Sequence, residues 1–204
     1  MDTLTLPLET ERLIVRRFRL RDVRDILEYS DHDTDDLHRR LNVGWKRTRA
    51  GVRAWWEPMI EMSPRRETKW LGLLIEVKDL RRVVGNVGFS VRKVGEGREA
   101  MIGWIIGRAY EGNGFVTEAA VALVDYLFLG EGFHRIYAMT SIDNERSSSV
   151  MERLGMRREA HFVRNCCHDG VWCDEVVYAL LEEEWPTVRP SGYGVTTSGA
   201  DRRS

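Results

Sequence analysis

Gly107-Arg-Ala-Tyr-Glu-Gly-Asn-Gly-Phe-Val-Thr-Glu-Ala119 is the stretch whose reading decides the fold. The apolar segment Met101 to Ile106 runs into it, a loop carrying Gly112 and Gly114 interrupts, and a helix begins at once. Val116, Ala119, Ala120, Leu123, Val124, Leu127 and Phe128 form the i, i+3, i+4, i+7 stripe of a helix with one buried face. Gly130 and Gly132 end it. The loop glycines let the backbone come close to a ligand, and the first-turn N–H groups have no intrahelical acceptor and the positive end of the helix dipole behind them. Residues 112–117 therefore predict an anion site that suits a diphosphate. No Gly-Lys-Ser/Thr triplet precedes the helix, which excludes a nucleoside-triphosphate loop, and the third glycine of a dinucleotide fingerprint is missing.

Upstream, Thr10-Glu-Arg-Leu-Ile-Val-Arg-Arg-Phe18 reads as an opening strand after a flexible start, residues 1–9. Asp22 to Tyr29 reads as a first helix and Val52 to Met62 as a second. The six arginines between Arg12 and Arg24 read as a solvated strand face and helix start. Between the helices, residues 30–50 carry Asp31-His32-Asp33 and Asp35-Asp36 with poor periodicity. Trp70–Val77 and Val83–Val91 are strands joined by a turn at Asp79–Arg82, and Glu99–Ile106 is the strand that feeds the loop. Downstream come a strand at His134–Ser141 and a short helix from Asp143-Asn144, with Val150, Met151 and Leu154 as its buried stripe and Gly155 as its stop. A hairpin follows, Arg158–His168 and Trp172–Leu181, turning at Asp169-Gly170. The Pro-, Gly-, Ser- and Thr-rich residues 186–204 are expected to be a disordered tail.

The length of 204 residues suits one domain, 10–185. Basic and acidic residues balance at 31 and 32, so no overall field favours nucleic acid or a membrane surface. No apolar run reaches spanning length, and the short acidic N-terminus is no signal peptide. Three cysteines form no disulfide framework, and a reducing cytoplasm is the expected compartment.

Tyr110-Glu-Gly-Asn-Gly-Phe-Val-Thr-Glu-Ala119 resembles the Tyr-x-Gly-x-Gly-Tyr-Ala-Thr-Glu-Ala loop of the RimJ/RimL-like branch of the GNAT acyltransferase superfamily. Thr10-x-Arg-Leu resembles the usual beginning of that branch. About thirty residues past the loop, Asn144-x-x-Ser147-x-x-Val150-x-x-x-x-Gly155-Met156 resembles its Asn-x-x-Ser-x-x-Val-x-x-x-x-Gly-Phe signature. The resemblance spans roughly Thr10 to Trp185. The loop's usual first Gln/Arg is Ala109 here, with Arg108 one place early.

The resemblance implies an α/β (α+β) fold: a mixed, mostly antiparallel sheet of about seven strands, splayed in the middle and flanked by helices. It implies acetyl-CoA, or another acyl-CoA, as co-substrate, held by Gly107, Gly112, Asn113, Gly114, Phe115, Val116 and Thr117, with Asn144 reaching CoA. Ser147 would protonate the departing thiolate. Free N–H groups at Ile105 and Ile106, in the splay, would bind the thioester oxygen. The acceptor is an amine, either a protein N-terminus or a small molecule such as an aminoglycoside or polyamine, attacking directly in a ternary complex. A CoA-binding regulator with little turnover is the alternative of another class. Dimers are frequent in this branch, which leaves a homodimer open.

Two acid–base residues of the family are missing. Met139 stands where some relatives place a glutamate, and Met151 where others place a tyrosine. Glu99, two residues before Met101 and so on the same strand face, is the first candidate for a water-mediated base, ahead of His32 and Asp33 in the variable region. Trp104 occupies the family's aromatic position beside the loop and is the aromatic candidate for the acceptor site. Cys166, Cys167, His168 and Cys173 invite a zinc reading, but neighbours on a strand point to opposite faces, so no metal is expected.

Overall fold

The computed structural model describes residues 5–30, 46–63, 68–168 and 170–195. Eight strands form one sheet: β1 Leu8–Glu9, β2 Leu13–Arg16, β3 Thr68–Val77, β4 Arg82–Val94, β5 Gly97–Ile106, β6 Arg135–Ser141, β7 Arg157–His168 and β8 Val171–Leu181. Their order is β1-β2-β3-β4-β5-β6-β8-β7. All neighbours are antiparallel except β5 and β6, which run parallel. The helices are α1 Val23–Tyr29, α2 Arg49–Trp56, α3 Phe115–Asp125, α4 Glu145–Arg153 and α5 Trp185–Val188. No helix among the described residues is long and apolar enough to cross a membrane.

The period-two alternation of β5 divides two cores. Ala100 and Ile102, with Trp104 and Ile106 at the margin, join the apolar side of α3 and α4 through Ala119, Leu123, Val150 and Leu154. Ile105, with Met101 at the margin, faces the other way, toward Val23, Ile26, Val52, Trp56 and Trp70. Helix α3 is buried over its whole middle, continues into a wider π-type turn at Tyr126–Gly130, and stops near Gly132 in the left-handed region at φ 65°.

Four expectations change. Leu8–Glu9, read as part of a flexible start, pairs with Ile14–Val15 and adds the eighth strand. Arg16, read with its neighbours as a solvated face, is only 3% exposed. Its guanidinium meets Asp22 through two bonds at 2.7 and 2.8 Å and Glu76 at 2.5 Å, while Arg17 donates to the carbonyls of Met59 and Met62. Residues 186–195 are not a disordered tail: α5 extends to Val188, and Arg189 clamps the buried Asp125 of α3 at 2.8 and 2.6 Å. Cys166 and Cys173, directly opposite in the β7–β8 register, are joined as a disulfide, and Cys167 is exposed. His32 and Asp33, with the rest of the acidic cluster, lie outside the described residues, as do residues 196–204.

Candidate active site

The site is assembled where β5 ends. Gly107 leaves the strand with its N–H donating to the Val84 carbonyl at 2.8 Å. A side chain there would meet the Tyr29 Cβ at 2.8 Å, so glycine at this position lets the loop close against α1. A 3-10 turn at Arg108–Tyr110 follows, and Gly112 and Gly114 take φ values of 77° and 75°, left-handed conformations that glycine adopts without a Cβ penalty. Gly114 is the N-cap of α3 and offers no side chain to its amides. The first amide to find a helical acceptor is Glu118, bonded to the Gly114 carbonyl at 3.0 Å. The N–H groups of Phe115, Val116 and Thr117 precede that ladder and point out of the helix end. The loop is braced from within by Asn113, whose side-chain amide donates to the carbonyls of Tyr110 and Glu111 at 3.1 and 3.2 Å.

The turn between β1 and β2 fixes this helix end from outside. Glu118, 2% exposed, accepts from the Thr10 hydroxyl at 2.5 Å, the Arg12 backbone N–H at 3.0 Å and the Arg12 Nε at 2.7 Å. Arg12 also donates to the Asn113 carbonyl at 3.0 Å and lies 4.9 Å from the centre of the Phe115 ring. The Thr10-x-Arg12 and Thr117-Glu118 motifs, far apart in the chain, are thus two halves of one clamp. Arg12 is a cation beside the loop that the sequence alone did not single out.

Next to the loop, the sheet opens. The parallel register runs Glu99↔Arg135, Ala100↔Ile136, Met101↔Tyr137, and past that rung β5 and β6 are no longer paired. Bonded partners recur at every second residue of an antiparallel ladder. Gly107 donates to Val84, so Ile105 and Gly103 belong to the β4 edge, and the N–H groups of Trp104 and Ile106 face the gap. The expected pair at Ile105 and Ile106 is therefore shifted: Ile106 stays and Trp104 replaces Ile105. On the far side, Glu182 donates to the His134 carbonyl and Ile142 to that of Asp174, which commits the even residues of β6 to β8. The backbone of Met139 and Ser141 then lines the gap.

Helix α4 flanks the mouth. Asn144 caps it, its side chain accepting from the Ser147 N–H at 3.1 Å, which places Ser147 in the first turn. Arg153 donates to the Thr117 hydroxyl at 3.1 Å, and Arg146 pairs with Glu111 at 2.7 Å. Both arginines tie α4 to the loop, and neither was legible from the motif.

The face of β5 opposite α3 holds the ionisable groups. Glu99, 7% exposed, is bonded through Oε1 by Arg92 Nε at 2.6 Å, and Arg135 lies 3.6 Å from Oε2. Tyr137 stands beside Met101 at the apex of the gap; burial, and then the charge of Glu99, push its phenol above the ordinary tyrosine range. Met139 and Ser141 follow on β6, opposite Val177 and Glu175 of β8. Glu175 is 4% exposed and accepts a hydrogen bond from the Asn165 side chain. Trp104 does not join this group: its side chain is on the α3 face, across the sheet from Glu99. Tyr137 and Glu175 went unremarked in the sequence because nothing local marks them.

A main-chain anion cradle beside a strand gap, flanked by a capped helix, fits a long thioester with a diphosphate at one end, and the fold and family agree. Residues 12–157 match the acetyltransferase (GNAT) domain. The N-acetyltransferase YnaD of Bacillus subtilis (strain 168) is 30% identical over 86% of this chain and 97% of its own. The [ribosomal protein uS5]-alanine N-acetyltransferase of Escherichia coli (strain K12) is 26% identical over 87% of this chain and 92% of its own. The crystal structure of a GNAT-family acetyltransferase from Bacillus anthracis superposes with a TM-score of 0.72 at 30% identity, covering 87% of this chain and 99% of that one. This chain belongs to the GNAT acetyltransferase family and is an N-acetyltransferase.

Proposed function

We propose that the enzyme moves an acetyl group from acetyl-CoA to the free amine at the N-terminus of a protein or peptide, in a ternary complex and in the cytoplasm. The observation that carries this reading is the strand gap between Ile102–Ile106 and Ala138–Ser141, which opens beside the loop amides. The similarity to the uS5-alanine enzyme over most of both chains favours a protein amine over a small one.

Phe115, Val116 and Thr117, with Gly112 and Gly114, hold the diphosphate through main-chain N–H groups, and Arg12 and Arg153 add positive charge on either side. The Trp104 and Ile106 N–H groups meet the thioester oxygen and the negative charge that develops on it. The neutral amine attacks the carbonyl carbon, the carbon–sulfur bond breaks, Ser147 passes a proton to the thiolate, and the proton shed by the nitrogen goes to solvent, from which Ser147 recovers its own. Holding the two reactants in line supplies much of the acceleration. Glu99, enclosed by Arg92 and Arg135, holds the closed end of the gap in register.

The test is a thiol-release assay with acetyl-CoA over a panel: a peptide with a free N-terminus, the same peptide N-acetylated, an aminoglycoside and a polyamine. Release with the free peptide alone supports the reading. Preference for the aminoglycoside or polyamine redirects it to small amines. Tight acetyl-CoA binding by calorimetry without thiol release on any acceptor identifies a CoA-binding regulator instead.

A further inference from the structure

We propose that the Tyr137 hydroxyl holds the acceptor's amine at the closed end of the gap and aims its lone pair at the thioester. The inference rests on the acyl-transfer reading above and adds the residue that meets the amine.

The side from which the amine comes follows from what each face of the sheet already carries. On the α3 side the level of the gap is filled, with Ile102, Ile136, Ala138, Met151 and Val176 all buried in one core. No acceptor reaches the thioester through them. The other face differs. Its core draws helix and strand residues from α1, α2 and β3 to β5, and among the described residues none from β6, β7 or β8. Tyr137, Met139 and Ser141 on β6 and Val177 on β8 project to that face and stay half-exposed. They form an open trough beside the gap.

Tyr137 is the polar side chain of that trough at its closed end. Its rung partners are Met101 on β5 and Ala179 on β8, and the pairing of β5 with β6 ends at that rung. The diphosphate is held at the mouth, so the arm runs down the gap and its reacting end lies deepest. Of the two N–H groups assigned to the thioester oxygen, that of Trp104 is nearer the closed end. Three residues separate it from the Met101↔Tyr137 rung, a rise of about 10 Å. A tyrosine leaning along its strand covers much of that span.

The ring is fixed before an acceptor arrives. The Arg135 guanidinium lies 5.7 Å from its centre and is itself held by Glu159 at 2.7 Å and Glu99 at 3.6 Å. Among the described residues the hydroxyl has no hydrogen-bond partner. The charges around it are Arg135 on its own strand, Glu99 on β5, Arg92 on β4, and Glu159 with Arg157 on β7. Burial, then the charge of Glu99, keeps the phenol protonated at neutral pH. It therefore takes no proton from the amine. It accepts a hydrogen bond from one N–H of the neutral amine and turns the lone pair toward the carbonyl carbon.

The experiment compares the full-length wild type with Tyr137→Phe and Tyr137→Leu, using the peptide with a free N-terminus as acceptor. It measures kcat/KM from pH 6 to 9, acetyl-CoA affinity by calorimetry and stability by urea unfolding at pH 7. The expected result for Tyr137→Phe is a fall of roughly five- to tenfold in kcat/KM, the worth of one neutral hydrogen bond. The deficit should be constant across that range, with acetyl-CoA affinity and urea midpoint unchanged. Tyr137→Leu should lose at least as much activity. A wild-type kcat/KM in Tyr137→Phe, a deficit that varies with pH, or an equal loss of acetyl-CoA affinity or of folding overturns the proposal. A wild type that releases no thiol with this peptide contradicts the acyl-transfer reading itself, so the two failures are told apart.

Discussion

Arg16 faces two carboxylates in a dry environment, and such triads depend on every member. Removal of the cation leaves Asp22 and Glu76 as uncompensated charges, which costs about 3–5 kcal/mol. Arg16→Met should lower the urea midpoint accordingly with an unchanged slope, while adding Asp22→Asn and Glu76→Gln should restore much of the loss. Tyr29, buried with its hydroxyl accepting from Asn86 at 3.0 Å, and Tyr137 set the alkaline limit. Burial raises both phenols above the ordinary value of about 10. Below that value both are neutral in the folded and unfolded chain. Above it the unfolded chain ionises first, the folded chain holds more protons, and stability falls as pH rises. Urea unfolding at pH 8, 10 and 11 should show this decline, and Tyr137→Phe should make it shallower; equal slopes in both proteins would refute the assignment.

Among the elements, the turn into α3 separates conformational strain from ligand recognition. Gly114→Ala puts a Cβ on a residue at φ 75°, a penalty of roughly 1–2 kcal/mol, with the nearest atom, an Arg12 nitrogen, at a tolerable 3.5 Å. Gly170→Ala, at φ 83° in the β7–β8 turn and with open space around it, carries the same strain. Both variants should lose similar stability, but calorimetry should show acetyl-CoA affinity reduced at least roughly tenfold in Gly114→Ala only. This helix start was legible in the sequence because its signals are local: an apolar run, two glycines, a 3.6-residue stripe. The Asn144 cap and the Gly155 stop were legible for the same reason. The gap was legible only as a family expectation, and the choice of Trp104 over Ile105 needed the register. Arg16, Glu118 and Glu175 were not legible. Glu118 finds Thr10 at a sequence separation of 108, and Arg16 finds Glu76 at 60, distances over which periodicity carries no information.

Over the whole molecule, α3 is held at both ends by chain termini. The β1–β2 turn grips its start through Thr10, Arg12 and Glu118, and the C-terminal segment grips its end through Asp125, which accepts from the Trp185 indole at 2.8 Å and from Arg189. The segment then returns toward the loop, so that the Tyr193 hydroxyl lies 4.0 Å from where a Cβ on Gly114 would be. Arg189→Ala strips the buried Asp125 carboxylate of both guanidinium bonds and should cost about 1–3 kcal/mol, read as a lower urea midpoint. Acetyl-CoA affinity should fall as well, because the cradle depends on where α3 sits; an unchanged affinity would separate the tail from the site. Acetyl-CoA binding and acyl transfer both depend on the amides of residues 112–117 and on the gap between β5 and β6. A crystal structure with acetyl-CoA tests both at once. The expected result is diphosphate oxygens within about 3 Å of the Phe115, Val116 and Thr117 nitrogens, with the thioester arm between Trp104 and Met139. A diphosphate bound elsewhere, or an arm lying outside the gap, would contradict it.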